Sequence, residues 1–243
     1  MADAKRALNR NRLASVLMCF GALIYISVIG EAIIGWPLDV QHSYLSELAA
    51  RQFPKSWAFR FTDLLSGIAI AWATVLFMKR AKPGGSQPED PNSGWCSLRC
   101  CRRILSIGLV LFALATIVDS TLTPLDCALS LPECKQQIEA GTAGQHEWMH
   151  DVSSTIVGVG TVLVAFAFAL IVLRSRDEYG RWVRIAIPSL AVSVLLLVGY
   201  LTVTELLGIG PMGLAQRAQI VLAGILIAFT PIVLGDKSIK PNP

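Results

Sequence analysis

The sequence predicts an all-α polytopic membrane protein, a bundle of six transmembrane helices in one integral membrane domain over residues 1–243. Composition supports this class, because 53% of the residues are hydrophobic and only 16% are charged, against about a quarter charged in an ordinary soluble domain. Several apolar stretches also reach the roughly 20 residues that a helix needs to cross about 30 Å of hydrocarbon. Finally, Lys and Arg gather in alternate connections between these stretches.

The predicted spans follow one another with short connections, which leaves no room for a soluble domain. The first lacks a small-residue cleavage site near its end, so we interpret it as a retained helix and not as a signal peptide. The six spans cover about residues 13–36, 60–78, 104–123, 151–173, 183–206 and 216–234.

The basic residues predict the orientation. Cytoplasmic loops of membrane proteins carry the excess of Lys and Arg, so both termini should be cytoplasmic and three connections should face outward across the cell membrane. The net charge of +4 comes without a basic helix that carries interleaved aromatic residues, so membrane lipid is an expected partner and nucleic acid is not. Protein partners cannot be predicted. The basic positions are Lys5, Arg6, Arg10, Arg12; Lys79, Arg80, Lys82, Arg99, Arg102, Arg103; Arg174, Arg176, Arg181, Arg184; and Lys237 and Lys240.

Two connections contain cysteines. Residues 80–103 are rich in Pro, Gly and Ser and are predicted to form a flexible cytoplasmic loop, in which Cys96, Cys100 and Cys101 should be free thiols. Cys127 and Cys134 lie in a predicted outer loop, where an oxidising compartment favours a disulfide.

The stretch HEWMHD, residues 146–151, precedes the fourth span. Thr142 and Gln145 have the spacing of a capping box, which predicts a helix from about Ala143 to about Leu173. Such a helix is longer than the hydrocarbon is thick, so His146 and His150 should lie on its outer turns.

Polar and ionisable residues concentrate on the predicted outer side. Because such groups are costly at membrane depth, the set predicts a polar cavity that is open to the outside. The alternative is that outer helix ends merely meet water and lipid headgroups. The residues are Glu31, Asp39, His42, Glu47, Arg60, Asp63, Asp119, Ser120, His146, His150, Asp151, Glu205, Gln216 and Arg217.

A metal site is the sharper hypothesis. His146 and His150 are four residues apart on one helix face, and His42 is predicted on the same side of the membrane. Three imidazoles with an open water position would suit a catalytic zinc, with Asp119 or Glu47 as proton acceptor. HEWMH also matches H-E-x-x-H literally, but its place at a membrane helix end argues against a peptidase. Ordinary polar residues at a helix end remain the alternative.

The segment YLSELAA, residues 44–50, resembles the YISELGA segment of a bacterial and archaeal membrane family, domain of unknown function 998. Further matches are Pro-Leu-Asp-Cys at 124–127, a histidine at the start of span four, and GLAQR at 213–217, where that family has Gly-Leu-x-x-Arg. The resemblance implies a six-helix membrane protein and no established reaction. Ala49 departs from the family's Gly. The positions that the resemblance marks are Ser46, Glu47, Asp126, His150 and Arg217.

From these residues we expect Ser46 and Glu47 to approach Arg217, with the carboxylate and the guanidinium forming a bidentate pair. That pair would either lock a loop over the bundle or roof a ligand site. Glu31 and Glu205 are further candidate binding residues at the same level.

The leading functional hypothesis is a metal-dependent hydrolase that acts on a lipid-like substrate. The competing hypothesis is a non-enzymatic protein that binds lipid or organises a partner. A small transporter is less favoured, because the centres of spans two to six lack the ionisable residues that transport sites place near the midplane.

Overall fold

The computed structural model describes residues 2–79, 97–141 and 146–235, and this part of the chain is helical without strands. Two short 3-10 turns, Leu45–Ala49 and Arg176–Glu178, lie between the helices. The α-helices are α1 Ala2–Tyr25, α2 Val28–Ile33, α3 Ser56–Met78, α4 Leu98–Thr121, α5 Pro132–Glu139, α6 His146–Arg174, α7 Arg181–Leu207, α8 Met212–Ala228 and α9 Thr230–Leu234.

Five helical segments are long and apolar enough to cross a membrane. Mean hydropathy in their most apolar windows runs from 1.7 to 2.8, which confirms the prediction of a helical membrane protein. They are Ser56–Met78, Leu98–Thr121, Glu147–Arg174, Arg181–Leu207 and Met212–Leu234, the last made of α8 and α9 together.

The first predicted span, 13–36, is not one continuous helix. α1 ends at Tyr25, and α2 begins at Val28 after a tight turn in which the backbone N–H of Ser27 donates to the carbonyl of Tyr25 at 2.7 Å. Arg10 and Arg12 lie in the N-terminal half of α1, so the apolar part of this helix is short for a membrane span. The structure therefore supports five spans by length and composition. α1 nevertheless packs in the bundle core, where its Ala14, Met18 and Ala22 are buried.

The centre of the bundle is α4, which packs along α3 and α6, while α1 packs on α3 and α7 lies against α6 and α8. Glycines let α4 and α6 approach closely. A Cβ built on Gly160 would lie 2.7 Å from the backbone N of Phe112, and one on Gly108 would lie 3.0 Å from the carbonyl O of Gly160. Small residues at helix crossings are typical of membrane bundles. The largest fully buried side chains beside this crossing include Phe112, Phe168, Leu109 and Ile171.

α7 is the most peripheral of the five helices. Its apolar side chains Trp182, Leu196 and Leu206 are 83%, 69% and 80% exposed. A contiguous apolar face of this kind is expected where lipid chains cover the protein.

The two cysteine-containing connections can be compared with their predictions. α4 begins at Leu98, with the Ser97 side chain accepting from the backbone N–H of Cys100 at 3.3 Å, so the end of the predicted 80–103 loop is helical. The rest of that loop, residues 80–96, lies outside the described residues, as does the Thr142–Gln145 capping box. Cys127 and Cys134 form the predicted disulfide, with their Cα atoms 5.6 Å apart.

Candidate functional site

A cavity of about 720 Å³ lies at one end of the bundle, where α3, α6 and α8 begin and α4 and α7 end. The turn Leu45–Ala49 contributes to its wall, and its apolar lining continues between α6 and α7. The cavity is therefore polar at the bundle end and apolar further along. Its polar lining includes Tyr25, Tyr44, Ser46, Glu47, Asp63, Asp119, His150, Asp151, Ser154, Glu205, Gln216 and Gln219; its apolar lining includes Val159, Val162, Leu163, Val198 and Leu201.

The lining has a strongly acidic balance. Five of the residues are carboxylic acids that come from five different elements or turns, and no Lys or Arg lines the cavity within the part of the chain that the structure describes. A low-dielectric wall amplifies the field of these groups. The site therefore favours a cation or a hydrogen-bond donor over an anion. The five acids are Glu47, Asp63, Asp119, Asp151 and Glu205.

Asp119, at the end of α4, faces His150, in the first turns of α6. Asp119 Oδ1 lies 2.8 Å from His150 Nδ1. The same oxygen accepts hydrogen bonds from Ser153 Oγ at 2.5 Å and from Thr123 Oγ1 at 3.3 Å. His150 is only 7% exposed, so the imidazole is held in place by packing as well as by the carboxylate.

The other ring nitrogen of His150 faces Ser154, one helical turn further along α6. Ser154 Oγ lies 3.4 Å from His150 Nε2. Ser154 is exposed and lines the cavity, whereas its neighbour Ser153 is buried against Asp119. The two serines thus have different surroundings, although they are adjacent in sequence.

Arg217 does not pair with Glu47, which corrects the prediction. Its bidentate partner is Glu31 on α2, with Nε at 2.7 Å from Oε2 and Nη2 at 2.5 Å from Oε1. Nη1 donates to the carbonyls of Val40 at 3.1 Å and Ser43 at 2.7 Å. The predicted kind of interaction is present, but its partner differs because the turn after Tyr25 directs α2 towards α8.

The first residue of the GLAQR segment also contacts this loop. Gly213 donates its backbone N–H to the carbonyl of Gln41 at 2.9 Å, and a Cβ on Gly213 would lie 2.7 Å from the carbonyl O of Val40. Gly213 therefore lets the loop cross the start of α8, and Arg217, one turn later, binds its carbonyls. The glycine and the arginine of this segment thus both contact the loop.

Glu47 holds two loops together. Oε1 accepts from the backbone N–H of Tyr44 at 3.2 Å, and Oε2 accepts from the N–H and the hydroxyl of Ser130 at 3.2 and 2.5 Å. Ser130 lies between the disulfide-bonded Cys127 and Cys134. Because both carboxylate oxygens are engaged, Glu47 is placed to fix these two loops at the cavity end of the bundle.

Tyr44 closes the same wall from the loop. Its hydroxyl donates to Glu205 at the end of α7, and burial together with this carboxylate raises the pKa of Tyr44 well above its usual range. The backbone N–H of Leu45 donates to Gln216 Oε1 at 2.6 Å. The loop is thus attached to both α7 and α8.

The predicted zinc ligands do not all reach the cavity. His42 lies in the exposed loop with its side chain 64% exposed, and its Nδ1 is 2.8 Å from Asp39 Oδ2. That hydrogen bond lowers the pKa of Asp39. The side chain of His146 lies outside the described part, and the described residues contain no group of three His, Cys, Asp or Glu arranged for a metal ion. The three-histidine site stays a prediction without support from this geometry.

Asp126, a predicted binding residue, lies away from the cavity lining and pairs with Arg51 at 3.2 Å. Sequence reasoning did not select Tyr25, Tyr44, Ser154 or Gln219 as site residues. Of these, only Ser154 had a clear signal, since it follows His150 by four residues and such a pair shares a helix face.

Five apolar helices around an end-on polar cavity define an integral membrane protein of the all-helical class. The family described as "Protein of unknown function (DUF998)" matches residues 96–230, more than half of the chain, and the chain belongs to that family. The match includes all of α4 and α8, with Asp119, His150 and Arg217. No curated protein and no solved structure matches the chain.

Proposed function

We propose that the protein is a six-span cell-membrane protein whose outward-facing cavity binds an amphiphile with a cationic headgroup. α1 is the sixth span in this proposal, since Ala14, Met18 and Ala22 are buried in the same core as the other helices. The basic residues at the opposite end from the cavity favour cytoplasmic termini.

The observation that carries the proposal is the division of the cavity lining. Acids occupy the bundle end, and apolar side chains from α6 and α7 continue the wall towards the bilayer centre. A ligand that fills both parts must have a polar head and an apolar chain. Pockets for small ligands combine an apolar wall with a few placed polar groups in the same way.

The sign of the charge selects the headgroup. With carboxylates on several sides and no lining Lys or Arg among the described residues, a phosphate or sulfate head would meet more negative than positive groups. An ammonium head would offset the mutual repulsion of the acids. Asp63 and Glu205 are the best contacts to test, because they line the cavity from α3 and α7 and neither belongs to the Asp119–His150 pair.

Zinc-dependent hydrolysis is not part of this proposal. It needs three converging ligands, and His42 is hydrogen-bonded to Asp39 in the exposed loop. Binding of a membrane amphiphile needs only the cavity and its charge.

The test is ligand binding to the full chain in nanodiscs. The probes are an alkyl trimethylammonium and an alkyl sulfate of equal chain length, both below the concentration that disrupts the disc. We expect the cationic probe to bind more tightly, and Asp63→Asn or Glu205→Gln to weaken it about tenfold, a loss of roughly 1.4 kcal/mol.

Glu139→Gln is the matched control, because Glu139 is an exposed acid of α5 outside the cavity lining. It should bind the cationic probe as the parent does.

Equal affinity for the two probes in the parent, or unchanged binding in both cavity variants, would contradict the proposal. A tag at the N-terminus that reacts only from the cytoplasmic side would support the proposed orientation.

A further inference from the structure

We propose that Ser154, His150 and Asp119 form a nucleophile, general base and positioning carboxylate that hydrolyse a carboxylic ester of an amphiphile in the cavity. The inference rests on the proposed function for the location of the substrate. It adds a reaction that cavity binding alone does not require.

The order of the three groups carries the inference. Asp119 Oδ1 lies 2.8 Å from Nδ1 of His150, and Ser154 Oγ lies 3.4 Å from Nε2 on the opposite side of the ring. A neutral imidazole with its proton on Nδ1, beside the Asp119 carboxylate, leaves Nε2 to accept from Ser154. Serine hydrolases use this sequence of contacts, and the serine to base distance is often longer before substrate binds.

The surroundings assign different roles to the two adjacent serines. Ser153 Oγ is buried and donates to Asp119 Oδ1, so it helps to hold the carboxylate. Among the described residues, Ser154 Oγ has only His150 Nε2 as a side-chain partner, and Ser154 lies on the cavity wall. Only Ser154 is therefore placed to meet a bound ligand.

Gln219 supplies a further polar group that the fold does not use. It lines the cavity from α8, is 8% exposed, and its side chain makes no hydrogen bond to the described residues. Because Gln219 lines the cavity, its amide is open to a ligand, and a ligand oxygen can accept from its N–H. The amide N–H of Gln219 can stabilise the oxyanion of an ester carbonyl.

The reaction balances without a further reagent. Ser154 Oγ bonds to the ester carbonyl carbon as its proton passes to His150 Nε2, and the carbon–oxygen bond to the alcohol then breaks while His150 returns the proton to the leaving oxygen. Water next attacks the acyl-serine and gives one proton to His150. The acyl–Oγ bond breaks, His150 returns that proton to Ser154, and a carboxylic acid is released.

The test uses the full chain in nanodiscs and an alkyl fluorophosphonate, which modifies activated serines. We expect one modified residue, Ser154, located by peptide mass spectrometry. Ser154→Ala should abolish labelling, and His150→Gln should slow it at least about 100-fold. Ser189→Ala is the matched control, because Ser189 is an exposed serine of α7 outside the cavity lining.

Asp119 acts through His150, so its test separates binding from turnover. With a medium-chain p-nitrophenyl ester, Asp119→Asn should lower kcat and leave KM nearly unchanged, and Asp119→Glu should restore part of kcat. A changed KM in Asp119→Asn, or no recovery of kcat in Asp119→Glu, would argue against a positioning role.

Labelling and cation binding, each measured on the parent and on Ser154→Ala, keep the proposals separable. Retained binding of the alkyl trimethylammonium with lost labelling supports both proposals. Labelling of another residue, or an unlabelled parent that still binds the cation, overturns the catalytic assignment and leaves the binding proposal intact. Labelling of Ser154 without any cation binding supports the catalytic assignment and overturns the proposed headgroup.

Discussion

Arg217 and Glu31 form a bidentate ion pair whose side chains are 4% and 0% exposed. The pair joins α8 to α2, and the remaining guanidinium nitrogen binds the loop that walls the cavity. A buried pair of this kind contributes little against an apolar replacement, but removing one partner leaves an uncompensated charge. The integrity of the cavity wall therefore depends on both residues.

Glu31→Gln is expected to destabilise the protein by about 3–5 kcal/mol, because Arg217 would remain buried without a charge partner. Thermal unfolding in detergent measures this loss. Asp126→Asn is the control, since Asp126 and Arg51 form a pair whose side chains are 32% and 50% exposed, and a solvent-exposed pair is worth about 0–1 kcal/mol. Similar unfolding temperatures for the two variants would contradict the central role of the buried pair.

Gly213→Ala should displace the loop at Ser43 and Val40, because the added Cβ would meet the Ser43 carbonyl oxygen most closely and would lie 2.7 Å from that of Val40. We expect a loss of about 1–3 kcal/mol and weaker binding of the cationic probe. The matched variant is Gly199→Ala in α7, where a Cβ would meet nothing within 4 Å. That change should be neutral or stabilise the helix by roughly 0.5–1 kcal/mol. Equal effects of the two substitutions would argue against the loop contact.

The Arg217 pairing shows where sequence reasoning succeeded and where it could not. An arginine at the polar start of an apolar helix predicts a bidentate carboxylate partner, and one is present. Its identity depends on the break after Tyr25, which no Gly or Pro marks and which turns α2 towards α8. Glu47 was the expected partner because the family resemblance marks both residues and both were predicted on the same side of the membrane.

The cavity was predictable in outline for a similar reason. Polar residues at one end of antiparallel helices converge, so Asp119, His150 and Glu205 could be expected at the same level. Which of them touch depends on the rotation of each helix about its axis, and packing sets that rotation. Gln219 was not selected as a site residue because the rotation of α8 about its axis decides whether it faces the cavity. The disulfide was predictable because two cysteines in one short loop have few other partners.

Removing the disulfide should loosen the cavity roof. The double substitution Cys127→Ser and Cys134→Ser removes a cross-link over a sequence separation of 7 and so raises the conformational entropy of the unfolded chain. The free energy of unfolding should fall by about 2–3 kcal/mol. Thermal unfolding with and without reductant measures it, and reductant should have no effect on the double variant. A parent that is insensitive to reductant under conditions that reduce the bond would contradict the prediction.

Ser130→Ala separates the loop contact from the disulfide. The substitution removes the hydroxyl that donates to Glu47 Oε2 at 2.5 Å and leaves the cysteines unchanged. We expect a loss of about 1–3 kcal/mol, since a buried carboxylate oxygen loses a donor. Ser189→Ala serves again as the control on an exposed helix face. A stability equal to that of the parent would show that the Ser130 N–H alone satisfies Glu47.

Tyr44 should make stability fall in alkaline solution. Its pKa in the folded protein is raised by burial and by the hydrogen bond to Glu205, so the folded state favours the neutral phenol more than the unfolded chain does. The resulting stabilisation is fully present below the ordinary tyrosine value of about 10 and is lost as the pH rises beyond it. The measurement is thermal unfolding of the parent and of Tyr44→Phe between neutral and strongly alkaline pH. Tyr44→Phe should be less stable at neutral pH, because Glu205 loses its donor, and should lose less stability above about pH 10. Parallel curves for the two proteins would show that the Tyr44–Glu205 contact does not hold the loop.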